Sequence, residues 1–83
     1  MSKEQEIFQN MRHQHGIRKC NGKWVIRYSS LYCAIKEAGY KDDETIWKII
    51  EGMERSGYIR QSRNVNGKTS GHLGNYIITK WVN

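Results

Sequence analysis

Gly16, Gly39 and Gly57 constrain this chain more than any other feature, because each follows a stretch of apolar residues set at helical spacing. Before Gly16, Ile7, Phe8 and Met11 share one side of a helix that Ser2 can cap and that runs to about residue 14. Before Gly39, Leu31, Ala34, Ile35 and Ala38 form a single stripe at i, i+3, i+4 and i+7, with Ser29 or Ser30 as the expected N-cap. Before Gly57, Ile46, Ile49, Ile50 and Met53 repeat the pattern, and Asp42 and Asp43 open the helix where its dipole favours acids. After Gly57 the period becomes strand-like. Residues 58–63 and 75–82 are rich in β-formers, and the ten residues VNGKTSGHLG between them read as a long polar hairpin loop. Residues 17–28 also change character. An Asn21-Gly22 turn precedes Trp24, Val25, Ile26 and Tyr28, which predicts a strand paired locally with Ile17–Cys20. The order is therefore helix, strand, helix, helix, strand, loop, strand: an α+β chain with one domain over residues 1–83.

Length and composition narrow the function. An 83-residue chain has little room for a large substrate cavity beside its core, so neither an enzyme nor a cofactor is expected. No apolar run approaches the roughly 20 residues that span a bilayer. The start, MSKEQEIFQNM, lacks the apolar centre of a signal peptide and is expected to begin a cytoplasmic chain. Two cysteines are too few for a disulfide scaffold. His13, His15, Cys20 and Cys33 contain no C-x-x-C spacing to nucleate a metal site, so no metal is expected.

The net charge of +6 points to an anionic partner, most often nucleic acid, and its placement is uneven. Residues 1–40 hold seven basic and three acidic side chains, residues 41–59 hold three and five, and residues 60–83 hold four basic and none acidic. Two basic flanks with an acidic element between or behind them fit that distribution.

Two segments carry a family resemblance. ETIWKIIEGMERSGYIRQSR resembles the third helix and first wing strand of winged helix-turn-helix domains, and NGKTSGHLGNYIIT resembles their wing and its return strand. The likeness covers about residues 29–83 and is closest to small modules of phage, plasmid and mobile-element replication or regulatory proteins. It implies three helices, a C-terminal hairpin wing and a short strand, and DNA binding in transcriptional regulation or element replication.

The resemblance places Lys41, Thr45, Trp47 and Lys48 on the exposed face of the helix that would enter the major groove. There a lysine addresses guanine edges or phosphate, and a threonine a thymine methyl. Asp42, Asp43 and Glu44 depart from that pattern, since they lie at the tip that would meet the phosphates. The hairpin is the stronger candidate. Arg60, Arg63, Asn66, Lys68, Thr69 and His72 supply donors there, and the glycines among them allow close approach of the backbone. Ser29 and Ser30 add a helix N-terminus for one phosphate. Tyr40 and Trp47, offset from the apolar stripes, are expected to form a partner surface, either a dimer contact or a stacked base. The first helix is a second candidate for a dimer contact. Duplex DNA is the favoured partner. Single-stranded DNA beside a replication enzyme is one alternative, and a protein-binding adaptor that uses the same frame without DNA is the other.

Overall fold

Ser2 begins the first helix with a reciprocal cap. In the computed structural model, which describes residues 2–61 and 74–82, the Gln5 amide donates to the Ser2 hydroxyl at 3.2 Å and the Ser2 amide donates to the Gln5 side-chain oxygen at 2.9 Å. Helix α1 spans Lys3–Arg12 and ends at a His13 cap, short of residue 14. Gly16 therefore does not terminate it, and Gly16 is not among the glycines with positive φ. Its role is steric: a Cβ there would lie 1.9 Å from the Ser30 hydroxyl oxygen. The loop after α1 thus packs directly on the second helix, and glycine is the residue that permits it.

Strands β1 (Ile17–Cys20) and β2 (Lys23–Arg27) form a tight hairpin. Asn21 and Gly22 both take positive φ, 51° and 79°, as a two-residue turn matched to strand twist requires. Helix α2 (Tyr28–Glu37) follows β2 with no intervening residue. Its N-cap is Arg27, in extended backbone and without a side-chain cap bond, so neither Ser29 nor Ser30 caps it. The first amide of the helix, that of Tyr28, donates across the fold to the Gly74 carbonyl at 3.0 Å.

Helix α3 (Asp43–Arg55) is capped by Asp42, whose carboxylate accepts the Thr45 amide at 3.0 Å. Strand β3 (Ile59–Gln61) and strand β4 (Asn75–Ile78) complete an antiparallel sheet in the order β1-β2-β4-β3. The last strand stops at Ile78 rather than reaching residue 82. The Thr79 and Lys80 amides both turn to the Tyr58 carbonyl, at 2.9 and 3.2 Å. That turn brings the Trp81 ring edge-on to Phe8, with centroids 5.7 Å apart.

The architecture is α+β: three helices and a small four-stranded antiparallel sheet. Ile26, Ile59, Tyr76 and Ile78 line the sheet face that joins the core, against Phe8, Leu31 and Ile46 from the helices. Asn10 ties α1 to α2 by donating to the Ala34 carbonyl at 3.0 Å. Among the described residues no helix is long and apolar enough to cross a membrane.

Candidate nucleic-acid interface

Residues directly opposite in an antiparallel pair share a face of the sheet, so register decides which side chains meet. Arg18 pairs with Val25, Val25 with Ile77, and Ile77 with Arg60. This row crosses all four strands on the face opposite Ile26 and Tyr76; at its centre Val25 is buried and Ile77 half-buried, while its two ends are exposed. Lys23 and Arg27 lie two positions either side of Val25 and share its face by the two-residue alternation of a strand. Arg18, Lys23, Arg27 and Arg60 are all exposed. Three inter-strand spacings separate the ends of the row, about 14 Å, so Arg18 and Arg60 do not share one phosphate. No acidic residue occurs in any of the four strands. The exposed part of the outer sheet face is therefore cationic, flanking a centre in which Val25 is buried.

The tip of α3 is built differently. Asp42 accepts both the amide and the hydroxyl of Thr45, the latter at 3.1 Å. Asp43 accepts the Tyr32 hydroxyl, and this hydrogen bond to the neutral phenol, with burial and the Asp43 charge, raises the Tyr32 pKa. Glu44 lies 3.4 Å from the Lys48 ammonium. Thr45 and Lys48, expected to read bases, are thus engaged with the acids of their own helix. Lys41 is exposed just before the tip.

The remaining expected site residues separate into three groups. Arg60 belongs to the cationic face. Ser29 is exposed on the first turn of α2, whereas Ser30 is 9% exposed and packs against the Gly16 loop, which leaves its hydroxyl poorly placed for a phosphate. Arg63, Asn66, Lys68, Thr69 and His72 lie outside the described residues. Tyr40 and Trp47 are half-buried against the core, and the Trp47 ring lies 6.0 Å from that of Tyr28. Neither is the exposed aromatic expected of a partner surface. Helix α1, the second candidate for a dimer contact, buries its apolar residues Ile7, Phe8 and Met11 in this chain's own core.

Sequence reasoning missed Arg18, Lys23 and Arg27, although a signal existed. With Asn21-Gly22 as a two-residue turn, Arg18 must oppose Val25, and alternation then puts all three cations on one face. It also missed Trp24, which is 39% exposed and the one exposed large hydrophobic among the described residues. The Trp24 ring meets that of Trp81 nearly at right angles, 85°, with centroids 6.1 Å apart. Among the described residues no group of three or more His, Cys, Asp and Glu side chains is arranged to hold a metal ion.

Comparison with protein families, with curated proteins and with solved structures finds no match to this chain.

Proposed function

We propose that this chain is a nucleic-acid-binding module of winged-helix layout that grips the phosphate backbone of duplex DNA with its outer sheet face and basic hairpin, rather than with α3. The element order supports the layout: α1, β2, α2, α3 and then a β3–β4 hairpin whose return strand pairs with β2. Strand β1 widens that sheet by one strand and adds Arg18 to it. The observation that carries the reading is the convergence of Arg18, Lys23, Arg27 and Arg60 on one exposed face free of acidic residues in its strands. Such a surface neutralises phosphates without reading sequence. Base selection falls to the hairpin, and the module serves transcriptional control or the replication of a phage or mobile element.

The acidic tip of α3 favours duplex docking through the sheet over the adaptor reading, in which that helix would attract a basic protein. Asp42 and Asp43 accept hydrogen bonds from within the chain and Glu44 pairs with Lys48, so these acids already serve the chain's own structure.

Titration of labelled random-sequence duplex with the full chain tests the reading. Binding is expected at low salt, and Arg18→Glu with Arg60→Glu is expected to weaken it at least about tenfold, since each reversal replaces an attraction with a repulsion at the phosphates. Lys48→Glu, at a residue paired within its own helix, is expected to have a much smaller effect. Absence of duplex binding at low salt, or equal losses from the sheet and helix variants, would overturn the assignment.

A further inference from the structure

Strand β1 lies at one edge of the sheet, with β2 on one side and no strand on the other among the described residues. The two-residue Asn21-Gly22 turn makes Cys20 and Lys23 a hydrogen-bonded pair, and alternation makes Arg18 and Val25 the next. The Arg27 amide, which donates to the Gly16 carbonyl at 3.3 Å, continues the same alternation. Ile17 and Lys19 therefore turn their backbone groups away from β2. The Ile17 amide donates to the Gln14 carbonyl at 3.4 Å. The Ile17 carbonyl and both backbone groups of Lys19 have no hydrogen-bond partner among the described residues. Arg18, Lys19 and Cys20 are all exposed, so this edge is open to an extended segment.

The two faces of the hairpin specify what that segment carries. Ile17 pairs with Ile26 and Lys19 with Trp24, which puts Ile17 and the exposed Trp24 on the face that continues into the core. The Trp81 ring meets Trp24 there, with centroids 6.1 Å apart. A strand laid beside β1 sets every second side chain along this apolar wall. Its other side chains fall on the opposite face, beside Arg18 and, across the hairpin, Lys23. Arg18, Lys19, Lys23 and Arg27 are the only charged residues of the two hairpin strands, and all are cationic. A second copy of β1 would set these charges against their own counterparts, the repulsion by which a basic edge strand keeps copies apart. An acidic strand turns the same charges into attraction.

We propose that the β1 edge docks an extended acidic peptide segment of a partner protein, which adds to the sheet as a fifth strand. Its backbone pairs with Lys19, its carboxylates face Arg18 and Lys23, and its apolar side chains rest on Ile17 and Trp24. Arg18 and Lys23 also belong to the cationic outer face of the sheet, whereas Lys19 does not, so changes at Lys19 separate peptide docking from duplex binding.

The probe is a fluorescein-labelled octapeptide alternating glutamate with valine, titrated against the full chain by anisotropy at low salt, with random duplex measured in parallel. Binding is expected. Methylation of the peptide's backbone nitrogens removes its donors and keeps every side chain, and is expected to weaken binding about tenfold or more. Lys19→Pro removes the outward amide without breaking a bond to β2, and is expected to weaken peptide binding about fivefold or more. Lys19→Gln keeps that amide and is expected to lose less. Duplex affinity is expected to change by less than about threefold in either variant. If circular dichroism shows Lys19→Pro to be unfolded, the methylated peptide on the unaltered chain decides alone. No binding of the unmethylated peptide, or equal affinity for both peptides, would overturn the proposal. Equal binding of a peptide with lysine in place of glutamate would overturn it too. A dimer in sedimentation that reverts to monomer in Lys19→Pro would assign the edge to a second copy instead.

Discussion

Tyr76 illustrates how one side chain can carry an unbalanced cost. Its ring is fully buried, and its hydroxyl finds no hydrogen-bond partner among the described residues. Burial, and then the nearby charges of Glu54, Tyr28 and Glu51, push its pKa up from 10.0 to about 12. An unsatisfied buried hydroxyl costs about 1 kcal/mol or more, so Tyr76→Phe is expected to stabilise the fold. For a domain of this size the melting temperature should rise by roughly 4–8 °C. The pH dependence follows from the same shift. The folded phenol holds its proton more tightly than the unfolded one, so stability is full below pH 10 and declines as pH rises from 10 towards about 12. Tyr76→Phe should lose that share of the alkaline decline. Thermal melts at neutral pH and across that window check both outcomes, and a lower melting temperature at neutral pH would show that the hydroxyl has a stabilising partner.

Helix α3 shows an element whose polar residues serve its own ends. Asp42 answers the Thr45 amide and hydroxyl, and Glu44 answers Lys48 four residues on, so the acids at its tip stabilise the helix terminus. Asp42→Ala is therefore expected to cost about 1 kcal/mol of stability. Duplex affinity should stay level or rise slightly, because the change removes a negative charge. Chemical denaturation and duplex titration of the same variant separate the two effects. The helix itself was legible in the sequence: its stripe, its acidic first turn and Gly57 beyond it, with φ 82°, are local signals. The start of α2 was not. Its N-cap is Arg27 with no side-chain cap bond, its first amide donates to Gly74, distant in sequence, and Ser30 lies against Gly16. Gly16 misled for the same reason, since a glycine required by packing looks in sequence like a glycine required by a helix end.

For the molecule as a whole, the net charge of +6 matters less than its division between an acidic helix tip and a basic sheet. If the four cations of the outer face each neutralise one phosphate, log Kobs should fall with log salt concentration at a slope of about −3.6 or steeper. Arg18→Gln with Arg60→Gln should flatten the slope by about 2, at every duplex sequence alike. Affinities measured across a salt series check this, and an unchanged slope would remove both residues from the phosphate contacts.

The sequence by itself determined the three helices, the Asn21-Gly22 hairpin, the α+β class and the basic bias, because periodicity, turn chemistry and charge are properties of neighbouring residues. Tertiary structure decided the rest. The pairing of β2 with β4 joins segments separated by both later helices, and together with the two hairpins it sets Arg60 in line with Arg18. The turn after β4 brings Trp81 beside Trp24, the packing of the Gly16 loop on α2 buries Ser30, and Trp47 and Tyr40 lie half-buried against the core. Periodicity states which residues share a face of one element; what that face meets depends on contacts between segments far apart in the chain, which no local pattern encodes.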